Sequence, residues 1–170
     1  MLWLINDQDS NSRPNGGQNA AAAQVLVACP DDDWKVIFAL ARFAGMRTPS
    51  EVLSLKWEDI DWMKGRIRID WPKTGLRYCP LFGELRPILK AAQRNKDIGT
   101  ARIVAQYHGS ERNLRTRLIR IIKNDGLKPW PKLFVHLRAS RRTELQELFP
   151  DHVINSWLVH RSQIAEKHYL

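Results

Sequence analysis

The sequence predicts a mainly α-helical domain that carries a small antiparallel β-hairpin or meander, an α+β fold. Apolar residues recur at helical spacing in several segments, which indicates amphipathic helices. Residues 66–71 instead alternate polar and apolar side chains, as in a half-buried strand. The chain has 170 residues, of which 44% are hydrophobic, so it can form one domain with its own core. Global disorder is thereby excluded.

The first part of the chain predicts an arm followed by two helices. Residues 1–18 are rich in Asn, Asp, Ser and Gly, which predicts a flexible arm or added tail ahead of a domain over residues 19–170. A first helix is predicted over residues 19–28. A second begins after Pro30 and ends at Gly45. Its apolar face is predicted from the i, i+3, i+4, i+7 spacing of Trp34, Ile37, Phe38 and Ala41.

The middle and the end of the chain predict a hairpin between further helices. Thr48–Glu51 reads as a capping box with Pro49 at the first helical position, so a helix should begin there. After a turn at residues 63–65, strand 66–71 and its return strand 76–81 are joined by Pro72–Gly75. The remaining predicted helices cover residues 84–94, 111–123, 137–148 and 151–158, and one follows Ser162.

Positive charge is concentrated in one stretch. Lys and Arg exceed Asp and Glu by nine in the whole chain, and residues 102–142 alone hold eleven basic residues against two acidic ones. A surplus of this kind indicates a surface that binds a polyanion, although a solvated helix face is the simpler alternative. Arg outnumbers Lys there by eight to three, which favours forked contacts with phosphate.

Several classes of protein are excluded by composition. No apolar run approaches the ~18 residues of a membrane span, and Asp7 and Asp9 lie where a signal peptide is apolar. Cys29 and Cys79 are too few for a disulfide framework or a metal quartet. We therefore expect no membrane partner, no metal, no cofactor and a reduced, cytoplasmic setting.

Five residues carry the candidate chemistry, and each has an ordinary structural explanation when it is considered alone. Arg47 reads as a surface cation between two helices, and Lys73 as a solvated turn residue. A half-buried Arg138 needs an anionic partner, which a carboxylate could supply as well as a phosphate. His160 follows apolar residues as core histidines do, and Tyr169 near the end of the chain reads as packing.

The order and spacing of these residues resemble the tyrosine recombinases, or phage integrase family. Gly45-Met46-Arg47 is followed by Glu, Leu, Trp and an Asp-Ile-Asp turn at the spacing of the family's first arginine motif. Lys73 in Pro-Lys-Thr-Gly is similar to the hairpin lysine, and Leu137-Arg138 to the second arginine box. His160 and Tyr169 have the spacing of the closing pair. The resemblance extends from about residue 19 to the end of the chain.

The sequence departs from the family pattern at two places. The His expected three residues before the second Arg is Val135 here, and His136 is displaced by one residue, which on a helix points it to another side. The family's N-terminal DNA-embracing domain and its tail after the Tyr have no counterpart. We therefore expect a catalytic domain alone, mostly monomeric, with strand exchange requiring a homotetramer of a longer chain on DNA.

The resemblance implies DNA cleavage and rejoining through a 3′-phosphotyrosyl intermediate. Tyr169 would attack the phosphodiester, Arg47 and Arg138 would bind the non-bridging oxygens, and His160 would donate to the same oxygens. Lys73 would protonate the 5′-oxygen as it leaves, and Glu51 would buttress the site. Duplex DNA is the implied substrate and partner, in the bacterial cytoplasm or nucleoid.

Three alternative functions are also compatible with the sequence. Val135 suggests a DNA-binding relic that keeps the fold but has lost catalysis. A general basic nucleic-acid module would explain the charge, although not the spacing of His160 and Tyr169. A type IB topoisomerase would share the chemistry, with relaxation of supercoils in place of strand exchange.

Overall fold

The computed structural model describes residues 16–107 and 113–159. Seven α-helices and three strands are present within these ranges: α1 (Gly16–Ala28), α2 (Asp32–Phe43), α3 (Ser50–Ser54), β1 (Ile60–Asp61), β2 (Arg66–Trp71), β3 (Gly75–Pro80), α4 (Leu85–Arg94), α5 (Leu114–Asn124), α6 (Leu133–Gln146) and α7 (Asp151–Trp157). A short 3-10 turn, Trp57–Asp59, precedes β1. The mainly α fold class with a small antiparallel sheet is confirmed.

Helix α2 is the central element of the core. Asp31 caps its start by accepting the N–H of Trp34 at 2.8 Å, and Gly45 follows its end in the left-handed conformation that glycine adopts without strain. The predicted apolar face is buried, but the rest of the helix is nearly as inaccessible, including Arg42. The helix is enclosed because it packs against α1, α3, α4 and α6.

The three strands form an antiparallel meander in the order β1-β2-β3. Ile67 and Ile69 of β2 face the core, as the alternation predicts. Their partners on β3 are Cys79 and Arg77, so the more apolar Leu76 and Tyr78 face outward. Arg77 is therefore buried at a position where side-chain polarity favours an apolar residue, because it has a buried counter-ion in Glu51. Helix α7 packs against this strand.

Several boundaries differ from the predictions. Helix α1 begins at Gly16 and not at residue 19. Helix α6 begins at Leu133 and not at residue 137, because residues 133–136 continue the same helical turn. Helix α3 begins at Ser50 with no side-chain cap, and Glu51 accepts the backbone N–H of Arg47, so the capping-box prediction is wrong. The last predicted helix, after Ser162, lies outside the described residues. Within the described ranges, no helix combines the length and apolar character needed to cross a bilayer.

Candidate active site

Arg47 and Arg138 come together in space although they are far apart in the sequence. Arg138 extends from α6 and donates from Nη1 to the carbonyl of Gly45 at 2.9 Å and from Nη2 to the carbonyl of Val159. Arg47, in the segment between α2 and α3, donates from its own Nη2 to the same Val159 carbonyl at 3.5 Å. Two guanidinium groups thus share one acceptor oxygen.

This pair of like charges is electrostatically suited to an anion. Burial, and then the charge of Arg47, lower the pKa of Arg138 to about 10, while Glu51 opposes the shift. Arg138 is therefore still charged at neutral pH. Arg47 Nε is buried and has no hydrogen-bond partner among the described residues. A bound anion would relieve both the repulsion and the unsatisfied donor.

Glu51 lies behind the arginine pair and holds the surrounding backbone. Its Oε2 accepts the backbone N–H of Arg47 at 2.8 Å, so the glutamate returns to Arg47 and not to Thr48 as a capping box requires. Arg77 donates to both carboxylate oxygens at 2.8 Å. Although burial opposes ionisation, Arg77 holds the pKa of Glu51 below its usual value of 4.5.

Lys73 lies in the turn between β2 and β3, as predicted, and its side chain is exposed. The next residue, Thr74, donates its hydroxyl to Glu51 Oε1 at 3.3 Å. The base of the turn is thereby attached to the carboxylate that also holds Arg47. Lys73 is thus the neighbour of a residue that contacts Glu51.

The start of α6 separates Val135 from His136. Val135 is 65% exposed and lines a cavity of about 160 Å³ together with Arg138, Ala139, Arg142 and Leu158. His136 lines a different groove and contacts Trp130, with ring centroids 6.4 Å apart. The helix is regular here, so the residue three positions before Arg138 shares its face and the next residue does not.

Gly45 permits the close approach of α7's end to the arginine pair. Its φ is +60°, and a Cβ at this position would lie 2.7 Å from Leu158 Cδ2. The positive φ favours glycine at this position. Arg138 links this residue to the end of α7, because it binds both the Gly45 carbonyl and the Val159 carbonyl. The sequence-predicted residues His160 and Tyr169 lie outside the described residues.

The basic stretch is less uniform than its composition suggests. Arg102 donates to the Leu53 carbonyl at 3.0 Å, Arg141 is buried between Glu84 and Glu144, and Arg142 binds Asn155 at 2.8 Å. These three arginines have internal partners, and the polyanion-binding surface within residues 102–142 stays a prediction for the remaining cations. Six of its cations are exposed: Arg115, Arg117, Arg120, Lys123, Lys128 and Lys132. Arg112 lies outside the described residues.

The buried carboxylates predict a loss of stability in acid. Burial opposes ionisation in Glu51 and Glu144, but Arg77 and Arg42 respectively lower their pKa from 4.5. These two carboxyl groups therefore have a higher pKa in the unfolded chain than in the native chain. The stability that they contribute is fully present above about pH 4.5 and is lost as the pH falls through their lower native pKa values.

Urea unfolding at pH 7 and pH 3.5 measures this loss of stability. The double variant Glu51→Gln/Arg77→Met should show a shallower pH dependence, and an equal dependence would contradict the assignment.

Comparison with solved structures identifies the fold. The chain has the fold of the tyrosine recombinase catalytic domain, so the fold-level resemblance is confirmed. The sequence itself matches no family model and no curated protein.

Three solved structures illustrate the likeness. XerA recombinase superposes with a TM-score of 0.71 at 18% identity, covering 88% of this chain and 57% of that one. XerH site-specific recombinase, bound to its difH substrate in a pre-cleavage complex, gives a TM-score of 0.67 at 18% identity over 100% of this chain and 53% of its own. Lambda integrase (75–356), a dimer bound to a COC′ core site, gives 0.66 at 20% identity over 84% and 56%. The chain spans less than two thirds of the length of each.

Proposed function

We propose that residues 19–170 form the catalytic domain of a site-specific recombinase or integrase, which cleaves and rejoins duplex DNA through a 3′-phosphotyrosyl bond. The observation that carries the proposal is the convergence of Arg47 and Arg138 on one carbonyl oxygen. The shared fold supports it, since the solved chains with this fold include recombinases and integrases bound to DNA. DNA in the bacterial nucleoid is the proposed substrate, and several copies of a longer chain, four in strand exchange, are the proposed assembly.

In this proposal the arginine pair binds the scissile phosphate. Arg47 Nε lacks a partner within the described part of the chain, and a phosphate oxygen would provide one. Forked guanidinium contacts to the non-bridging oxygens stabilise the charge that grows on them in the pentacovalent transition state. His160, the residue after Val159 in the sequence, is proposed to donate to the same oxygens.

The chemical step uses one nucleophile and one acid. The Tyr169 oxygen attacks phosphorus as its proton passes to water, and the bond between phosphorus and the 5′-oxygen breaks. Lys73 gives a proton to that 5′-oxygen, which leaves as a hydroxyl. The phosphodiester energy is retained in the phosphotyrosyl bond, so rejoining is the reverse reaction and requires no ATP.

A nicked suicide duplex tests the proposal. Its cleaved end is lost by diffusion, so a covalent protein–DNA adduct accumulates and can be counted on a denaturing gel. The wild type should form the adduct, Lys73→Ala should form it slowly, and Tyr169→Phe should form none. A wild type that binds the duplex without any adduct would refute the enzymatic function.

Binding should depend strongly on salt. If about five of the exposed cations on and after α5 contact backbone phosphates, log K should fall with log salt at a slope of about −4 to −5. Filter binding or fluorescence anisotropy between low and moderate salt gives the slope. A slope near zero would show that the exposed basic residues do not bind the DNA backbone.

Replacing Val135 with His should accelerate cleavage. Val135 lines the same cavity as Arg138 and is exposed, so an imidazole there can reach a phosphate bound by the arginine. We expect a gain of about 100-fold, the lower end of the range of general acid–base assistance. The rate of adduct formation under single-turnover conditions measures it.

His136→Ala is the matched control for this gain. Its ring lies against Trp130 and not in the Arg138 cavity, so the cleavage rate should not change. If the wild type is active, an unchanged rate in Val135→His would show that this position does not assist the reaction. If wild type and variant are both inactive, the result would indicate a wider loss of catalysis.

A further inference from the structure

Arg77 forms hydrogen bonds to three separate parts of the site. Its Nη1 and Nη2 donate to the two oxygens of Glu51 at 2.8 Å, and Nη1 also lies 3.4 Å from the Thr74 hydroxyl. Its Nε donates to the carbonyl of Trp157 at 2.8 Å. One guanidinium group thus binds the hairpin turn, the Glu51 carboxylate and the end of α7.

Each of these three contacts lies beside a residue of the proposed reaction. Thr74 follows Lys73 in the turn, and Glu51 accepts the backbone N–H of Arg47. Trp157 lies two residues before Val159, whose carbonyl accepts from Arg47 and Arg138. A displacement of Arg77 would therefore move the lysine turn and the segment after α7 relative to the arginine pair.

Simple stabilisation does not account for this arrangement. A buried ion pair is often no more stable than apolar residues of the same volume, because both charges lose their hydration. Arg77 is 6% exposed and Glu51 1% exposed, so both have lost it. The pair instead holds parts of the site in a fixed arrangement. The planar guanidinium group of Arg77 makes two hydrogen bonds to the Glu51 carboxylate, and its Nε makes a third to a carbonyl that lies in another direction.

We propose that Arg77 is a positioning residue, which couples the Lys73 turn to the end of α7 through Glu51 and thereby sets where the lysine delivers its proton. This role rests on the proposed DNA cleavage. Arg77 touches neither the phosphate nor the leaving oxygen in this scheme. Arg77 instead keeps the general acid at a fixed position relative to the phosphate-binding arginines. A displacement of about 1 Å between them can lower the rate about 100-fold.

A substrate with a sulfur leaving group isolates the effect on proton delivery. In a duplex whose scissile phosphate has a 5′-bridging sulfur, the leaving group departs as a thiolate and does not need the proton from Lys73. Arg77→Lys keeps the charge but loses the fork and the Nε bond. We expect adduct formation on the oxygen substrate to fall about 10- to 100-fold, with much less loss on the sulfur substrate, as for Lys73→Ala.

Two further variants separate positioning from general damage. Arg68→Lys is the matched control, an exposed ion-paired arginine on the neighbouring strand β2, and its rates should not change. Thr74→Val removes one hydroxyl from the turn and should lower only the oxygen-substrate rate, by a few fold. Equal losses on both substrates in Arg77→Lys would mean that the residue is merely structural and would overturn the proposal.

Hydrogen exchange tests the coupling independently of activity. If the wild type cleaves neither substrate, the proposed function fails, and the coupling is then judged by amide exchange alone. In Arg77→Lys, exchange should accelerate together in residues 72–75 and 157–159 while α2 stays protected. Acceleration in one segment only, or in neither, would overturn the coupling.

Discussion

Arg138→Lys should reduce the rate of covalent adduct formation by about 10²- to 10³-fold, the usual cost of losing one donor to transition-state charge. Lysine retains the positive charge, but it has no fork and cannot bind the Gly45 carbonyl, the Val159 carbonyl and a phosphate oxygen at once. Single-turnover cleavage of the nicked duplex at saturating protein measures the chemical step separately from binding.

Arg94→Lys provides the matched control for that measurement. It is an exposed arginine in the last turn of α4, and the same replacement there should leave the rate unchanged. Duplex affinity should fall only slightly in Arg138→Lys, because the charge is retained and most phosphate contacts are made elsewhere. A rate close to that of the wild type would exclude Arg138 from the phosphate-binding pair.

The main elements were predictable because local signals agree with the tertiary structure. The i, i+3, i+4 spacing around Trp34 and the glycine at residue 45 predicted α2 and its end, and the period-2 alternation around Ile67 predicted β2. The hairpin position of Lys73 followed from Pro-Lys-Thr-Gly. These patterns involve residues close in sequence, for which chain geometry alone fixes the neighbours.

The buried ion pairs were not predictable because their partners are distant in the sequence. The resemblance predicts only that Glu51 buttresses the site, and it assigns no role to Arg77. Their pairing depends on how β3 packs against α3. One signal was present in retrospect: an arginine alternating with exposed Leu76 and Tyr78 on a short strand must face inward and needs a carboxylate there.

The different helix faces of Val135 and His136 could be predicted from the sequence. A regular α6 puts residue 135 on the face of Arg138 and residue 136 on another, as the structure has it. The basic stretch was less predictable, because composition does not distinguish an arginine that binds a carbonyl or a carboxylate from one that is free. Arg102 and Arg141 are held internally, whereas the cations of α5 are exposed.

A second large effect is expected at a buried ion pair of α2. Arg42 lies in the last turn of this helix and is 1% exposed. It donates to both oxygens of Glu144 on α6, one at 2.9 Å, and to Asn19 Oδ1 on α1 at 2.7 Å. The arginine therefore joins three helices, and its loss would leave a largely buried carboxylate without its main partner.

Arg42→Met should lower the free energy of unfolding by about 3–5 kcal/mol, the cost of breaking a buried ion pair by removing one partner. Methionine fills most of the volume, so the loss reports the charge of Glu144, which keeps its contact with Arg141 at 3.3 Å, rather than a cavity. Urea unfolding at pH 7 measures it. Arg42→Met/Glu144→Leu should recover most of the loss, because the Glu144 charge is then absent and Arg141 keeps its ion pair with Glu84. A single variant that loses less than about 1 kcal/mol, the range of an exposed pair, would show that water solvates this pair and that apolar packing alone holds α2 against α6.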